Sequence, residues 1–307
     1  MNVGIVGHGV VGSAIERWLA QSAEHRVTIY DKFQPHYNSD SIRQTINECD
    51  LVFLCVPTPT GVDGFSCDTS SIDECAAWIT APLCIRSTVP PGTVDRLSEG
   101  TTQAIAFSPE YIGESLNHPW PNEGNYGFCI VGGPECIFDK VKQLHDSLSG
   151  KPKRFYRTSA RTAELCKYME NCFLATKVSF VNQFFDLATF FGVEWEDLRR
   201  IWLADPRIGE SHTHVTAERG FRGRCLPKDL AAMIAAAEPF GGAPLLEAVL
   251  AFNQSVCEAA DTQRLNTKNS SASTPEDKQS PESKSMTRDR AAISGTSEYA
   301  TVWKNTI

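Results

Sequence analysis

No C-x-x-C pair and no cysteine–histidine cluster at zinc-ligand spacing occurs in the 307 residues, and the eleven cysteines are an odd number. That excludes a zinc-ribbon or finger pattern and a fully paired disulfide framework, and it reads as a set of reduced thiols in a cytosolic protein without a bound metal. No basic segment followed by an apolar stretch precedes the strand-like start MNVGIVGHG, and no apolar run approaches the roughly 20 residues that span a bilayer. Secretion and membrane insertion are therefore not expected. An excess of positive charge is missing as well: the formal net charge is −8, which disfavours nucleic acid and anionic membranes as partners. A small anion held by local arginines and helix ends stays open. Glycine and proline are absent from Ser159 to Phe191, so one helix of about 50 Å is allowed there, with Gly192 to end it.

What is present is ordinary for a globular protein, 41% hydrophobic and 21% charged, with room for about two domains. The runs VGIV, VTIY, LVFLCV, LCIR and AIAF alternate with helical patterns through about residue 150. That alternation predicts an α/β, doubly wound parallel sheet of the Rossmann type. A mostly α-helical second domain follows, with the long helix and shorter ones near Trp195–Leu203, Lys228–Ala237 and Leu245–Ala260. The long helix carries Phe173, Leu174, Val178, Phe180, Val181, Phe184, Phe185 and Leu187, more apolar surface than those elements readily cover, so dimerisation through it is expected. From about Thr262 the composition turns polar, with seven Lys/Arg against five Asp/Glu, and reads as a disordered tail. The expected divisions are 1–157, 158–261 and 262–307.

GHGVVG follows the strand NVGIV and opens a helical pattern, and Asp31 closes the next strand, 19 residues after Gly12. Gly7 allows the tight turn, Gly9 admits a pyrophosphate to the backbone, and Gly12 permits close helix packing. Val10 and Val11 begin the helix whose N-terminus receives the anion, while Asp31 accepts from a ribose hydroxyl, which favours NAD over NADP with Lys32 beside it. VPTPT, STVPPGT and SPEYIGES each stand where a strand run ends, the side of an open sheet on which ligands bind, so Val56, Pro57, Thr58, Ser87 and Thr88 are expected to face the nicotinamide. Lys167 and Asn171, four apart on the long helix, share a face and can hold an oxyanion; a solvated lysine beside an asparagine is the plainer alternative. In GFRGRCLPKD, Cys225 lies among Arg222, Arg224 and Lys228, which would favour a thiolate; the same segment also reads as a loop, a helix start and a buried cysteine.

Taken in order, GHGVVG, Asp31, VFLCVPTPT, STVPPGT, SPEYIGES, KYMENCFLATKVSFVNQ, DPRIG and GFRGRCLPKD resemble the UDP-glucose/GDP-mannose dehydrogenase family, from residue 4 to 229. The resemblance implies two NAD-dependent oxidations of a nucleotide-sugar primary alcohol to the acid, through a thiohemiacetal and a thioester on Cys225. It implies that Lys167 and Asn171 hold the oxyanion, with Thr88 and Asp229 positioning water. Glu110 and Glu114 would bind or activate near the sugar with Tyr111 beside them, the base role lying open among Thr88, Glu110, Glu114 and Asp229; Gly220 and Lys228 would line the substrate site, and Arg207 would reach across a dimer. Two departures accompany it: Arg222 replaces a glycine of the family's Gly-Phe-Gly-Gly-x-Cys segment, and the polar tail stands where a third α/β domain is usual. The second departure admits a short member acting on a smaller substrate, a partner chain that completes the site, or an inactive NAD-binding dimer. A β-hydroxyacid dehydrogenase, which uses a long-helix lysine without a thiol, is the rival enzyme class.

Overall fold

Strands and helices alternate from the first residues, as the spacing of the apolar runs predicts. The computed structural model describes residues 1–112, 120, 123–148 and 150–271. Their order is β1 (Asn2–Val6), α1 (Val10–Leu19), β2 (Arg26–Tyr30), α2 (Asp40–Asn47), β3 (Leu51–Leu54), α3 (Ser70–Ala76), β4 (Leu83–Ile85), α4 (Thr93–Ser98), β5 (Ile105–Phe107), β6 (Phe128–Gly132), α5 (Glu135–Ser147) and β7 (Arg154–Thr158). Helices alone follow: α6 (Ala160–Phe191), α7 (Trp195–Trp202), α8 (Leu226–Ala237) and α9 (Pro244–Ser271). Met1–Gln263 pack as one compact unit.

The strands form one sheet in the order β2-β1-β3-β4-β5-β6-β7, parallel except where Phe107 of β5 pairs antiparallel with Gly132 of β6. It is thus the doubly wound sheet expected, mixed at one junction. Both faces of the inner strands are covered, which is why β1, β3, β4 and β5 read as apolar runs. One face carries Val6, Val52, Leu54, Ile85 and Phe107 against Ile46 of α2, Ile72 of α3 and Ala163 of α6. The other carries Val3, Ile5, Phe53 and Val131 against Ile15 and Trp18 of α1 and Val141 and Leu144 of α5. The order reverses at β1, whose neighbours are β2 and β3, so the crevice beyond their carboxyl ends is where a ligand fits this topology.

α6 is the 32-residue helix allowed by the glycine- and proline-free stretch. Ser159 caps it by accepting from Thr162 N, and Gly192 ends it at φ +69, a left-handed angle that costs glycine nothing. Of the residues expected to form an apolar stripe, Val178 and Val181 turn inward, whereas Phe173, Phe180, Phe184 and Leu187 are exposed. Met169 and Leu165 extend the exposed stripe. α9 continues to Ser271, beyond the Thr262 at which the sequence turns polar. Propagating a nucleated helix requires only tolerable propensity at each added residue, so 262–271 remain helical instead of beginning the tail. The rest of the expected tail lies outside the described residues.

One buried charge group ties the ends of β4 and β5 to the middle of β6. Arg86, directly after β4, donates to Ser108 Oγ at 2.8 Å and to Glu123 Oε2 at 2.8 Å, with both charged side chains nearly inaccessible. Ser108, after β5, donates in turn to Ile130 O of β6 at 2.7 Å. Burial pushes the Glu123 carboxyl up, but Arg86, His145 and Lys153 outweigh it and the net direction is down. Burial also takes His145 down to about 3, leaving its ring neutral at neutral pH. Replacing Glu123 with Gln strands the guanidinium and is expected to cost about 3 kcal/mol in urea unfolding at pH 7. A depressed carboxyl stabilises the fold above its unfolded value and loses that contribution as pH falls through the folded one. The difference between Glu123→Gln and the unsubstituted protein should therefore shrink below about pH 4.

Candidate active site

At the β1–α1 junction the glycines meet steric demands. A Cβ at Gly7, which has φ +91, would stand 2.6 Å from Cys55 O, and one at Gly12 would stand 2.0 Å from Gly7 O. At Gly9 nothing lies within 4 Å, so the start of α1 is open to an approaching group. Asp31 at the end of β2 accepts from His8 N at 2.8 Å and Phe33 N at 2.9 Å, one bond to each oxygen, and retains lone pairs for hydroxyl donors. Lys32 turns away to Glu74 Oε2 at 2.6 Å. A glycine cradle, the first-turn N–H groups of Val10 and Val11, and a pre-oriented carboxylate together fit a dinucleotide.

The loops after β3 and β4 are interlocked. Ser87 Oγ donates to Val56 O at 2.6 Å, and Thr58 Oγ1 donates to Thr88 O at 2.8 Å. Pro57, between Val56 and Thr58, is exposed at the crevice end of β3. A short hairpin closed by the Thr60–Cys67 bridge adds a third tie, with the Cys67 thiol directed at Thr88 O, 3.9 Å away. Burial raises the Cys67 pKa, while Lys228 and Tyr168 pull it down.

Lys167 and Asn171 occupy the buried face of α6, one turn apart. Lys167 Nζ donates to Glu110 O at 2.7 Å and lies 4.7 Å from the centre of the buried Tyr111 ring. The Glu110 carboxylate itself accepts from Ile112 N at 2.7 Å, so the backbone of Glu110, not its side chain, meets the lysine. Asn171 Nδ2 donates to Asp229 Oδ2 at 2.5 Å, and Lys228 Nζ donates to Asp229 Oδ1 at 2.5 Å. Asp229 N donates to Cys225 O at 2.9 Å, and exposed Cys225 stands at the N-cap of α8. Hydrogen bonds thus connect Asn171, Asp229 and Lys228, and the first turn of α8 carries the connection to Cys225.

Two of the three bases near Cys225 in sequence pair with carboxylates. Arg222 donates to Asp261 at 3.0 and 3.1 Å and to Glu218 O and Cys257 O, which directs its charge to α9; Lys228 is engaged by Asp229. Cys225 itself occupies the N-cap position of α8, whose first turn carries a partial positive charge of backbone N–H groups. Arg222 keeps a negative φ, and the left-handed angles fall at Arg219 (φ +55), Gly220 (φ +61) and Gly223 (φ +85), so arginine in place of glycine costs no backbone strain. A Cβ at Gly220 would lie 2.5 Å from Asn253 Oδ1, so Gly220 is required by the turn. Asn253 of α9 brackets Phe221, accepting from its N at 2.7 Å and donating to its O at 3.0 Å, while Asn182 of α6 accepts from Gly220 N at 3.2 Å.

Arg207 stands apart, exposed and paired with Asp205. Glu114 lies outside the described residues. Two concavities, one lined by Glu194, Arg199 and Glu210 and one by Trp18, His145 and Lys153, include none of these candidates. Among the described residues no three His, Cys, Asp or Glu converge as metal ligands, and no helix is long and apolar enough to cross a membrane.

The sheet, its glycine turn and the acid ending β2 define a dinucleotide-binding protein of the Rossmann class joined to a helical domain. The model of the UDP-glucose/GDP-mannose dehydrogenase family's NAD binding domain matches residues 33–118, and that of its central domain matches 161–255. The chain belongs to the UDP-glucose/GDP-mannose dehydrogenase family. It is 35% identical over 236 residues to the UDP-glucose 6-dehydrogenase of Pseudomonas aeruginosa, covering 69% of this chain and 50% of that protein. A putative UDP-glucose 6-dehydrogenase of Bacillus subtilis is 29% identical over 214 residues, 65% of this chain and 49% of that protein. The chain thus spans about half the length of the curated relatives it matches. Among solved structures, a UDP-glucose dehydrogenase from Pyrobaculum islandicum has a TM-score of 0.69 at 25% identity, covering 82% of this chain and 68% of that one. A 3-hydroxyisobutyrate dehydrogenase of Mycobacterium tuberculosis shares the fold at 17% identity and a TM-score of 0.62, covering 81% of this chain and 91% of that one.

Sequence reasoning missed Glu164, one turn before Lys167 on the same buried face. Its carboxylate accepts from Gly92 N at 2.6 Å and Val94 N at 2.9 Å, fastening the STVPPGT loop to α6. Burial raises its pKa, against the pull of those two N–H groups. Glu164→Ala should leave both donors unsatisfied, cost about 2–3 kcal/mol, and speed amide hydrogen exchange selectively at residues 92–94.

Proposed function

We propose that the chain oxidises the primary alcohol of a nucleotide sugar, UDP-glucose being the first candidate, to the corresponding acid in two NAD-dependent steps through Cys225. The observation that carries this reading is the hydrogen-bonded set Asn171–Asp229–Lys228 at the first turn of the helix that Cys225 caps. NAD, when bound, supplies the hydride acceptor for each oxidation. In this reading the thiolate of Cys225, favoured by the α8 N-terminus, adds to the aldehyde carbon, and the carbonyl oxygen becomes an oxyanion. Lys167 has three N–H donors and uses one on Glu110 O, so two remain for that oxygen; Asn171 retains a second N–H. After the second hydride has left, a thioester on Cys225 awaits water, and the Asp229 carboxylate, held on both oxygens, and Thr88 orient that water. In this reading residues 1–157 hold the cofactor and 158–261 carry the chemistry.

A second reading, a β-hydroxyacid dehydrogenase, draws support from the fold shared with the 3-hydroxyisobutyrate dehydrogenase and from the buried Lys167 on the long helix. It needs no thiol. The exposed stripe Met169, Phe173, Phe180 and Phe184 supports a homodimer formed through α6, in which Arg207 would serve the partner's site.

Purified protein supplied with NAD and UDP-glucose is expected to yield two NADH per sugar. Cys225→Ser should lower that rate by roughly a thousandfold or more; turnover of a β-hydroxyacid that survives Cys225→Ser would select the second reading. Phe180→Glu is expected to shift the mass measured by light scattering from dimer to monomer, and a monomeric unsubstituted protein would refute the α6 interface.

A further inference from the structure

Recognition of a dinucleotide's adenosine ribose turns on the charge beside its 2′ position. A carboxylate at the end of β2 receives a free hydroxyl, whereas a neighbouring base accommodates a 2′-phosphate. This chain carries both kinds of residue side by side, Asp31 and Lys32. The lysine, however, is fastened to another element: its Nζ donates to Glu74 Oε2 of α3 at 2.6 Å. A second base near the end of β2, Arg43, is also engaged. It donates to Tyr30 Oη at 2.6 Å and lies 4.9 and 5.0 Å from the ring centres of Tyr30 and Trp78. The Asp31 carboxylate meanwhile is fixed by the N–H groups of His8 and Phe33.

We propose that Glu74 is a specificity-determining residue of the cofactor site, holding Lys32 on α3 so that a 2′-phosphate finds no cation there and a dinucleotide with a free 2′-hydroxyl is selected. The charge arithmetic supports it. With Glu74 and Lys32 paired, the pair is neutral and the Asp31 charge stands alone against a phosphate; without Glu74, Lys32 offsets Asp31 and is free to turn toward the ribose. The pair is exposed and contributes little to folding, so removing one partner leaves the fold in place to be tested. The proposal rests on the NAD reading of the glycine turn, which the same experiment probes separately.

NAD and NADP are titrated calorimetrically into the unsubstituted protein, Glu74→Gln and the double variant Lys32→Ala/Glu74→Gln. Glu74→Gln is expected to bind NADP roughly three- to fivefold more tightly, the scale of releasing one exposed ion pair, and the double variant is expected to lose that gain. NADP affinity unchanged in Glu74→Gln, or a gain that persists without Lys32, overturns the proposal while NAD binding by the unsubstituted protein remains intact. Failure of the unsubstituted protein to bind NAD at all removes the cofactor reading and the proposal with it.

Discussion

A glutamate, a lysine and an asparagine on the buried face of one helix each need a partner, because an unsatisfied polar group in a dry interior costs more than a hydrogen bond returns. α6 carries these as Glu164, Lys167 and Asn171. Each takes its partner from a different part of the chain: Glu164 from the start of α4, Lys167 from the segment after β5, and Asn171 from α8. Satisfying one helix face therefore brings the loop after β4, the loop after β5 and the cysteine-bearing helix to a single place. The apolar contacts of Cys172, Ala175 and Val178 with Phe221, Leu230 and Val249 hold the elements at that distance. They do not choose the register; the polar stripe does.

The cofactor crevice and the polar stripe belong to one mechanical unit for the same reason. Thr88 lies in the loop fastened to α6 through Glu164, and its carbonyl accepts from Thr58, whose loop leaves β3 beside the glycine turn. Arg86 anchors the base of that loop to Ser108 at the end of β5 and, through it, to the middle of β6. A displacement of α6 is thus felt at the loop after β3 within two hydrogen bonds.

Local signals made much of this legible. The glycine turn, Asp31, the long uninterrupted helix with its Ser159 and Gly192 ends, and the i, i+4 spacing of Lys167 and Asn171 each depend on residues near one another in the chain. Parallel pairing was readable from the apolar runs, whereas the antiparallel junction of β5 with β6 was not, because the same alternating residues suit either direction. Long-range partners were illegible: Glu164 meets Gly92, Asn253 meets Phe221, and Arg86 meets Glu123, and nothing beside any of these residues announces its partner. Arg222 shows how a local inference fails. Its closeness to Cys225 in sequence suggested a shared electrostatic role, but Asp261, 39 residues away, claims the guanidinium.

That pairing gives α9 a part in placing the thiol. Three successive turns of α9, at Asn253, Cys257 and Asp261, hold the loop from Arg219 to Arg222, which leads into Cys225. The last turn of a helix leaves its carbonyls without intrahelical donors and frays. Were α9 to stop near Ala260, where its apolar pattern ends, Asp261 would stand in that frayed turn and the Arg222 contact would be the weakest of the three. Its continuation to Ser271 moves the fraying end ten residues beyond Asp261, so the turns after Asp261, whose residues 262–268 are exposed, still bear on how firmly the cysteine loop is held.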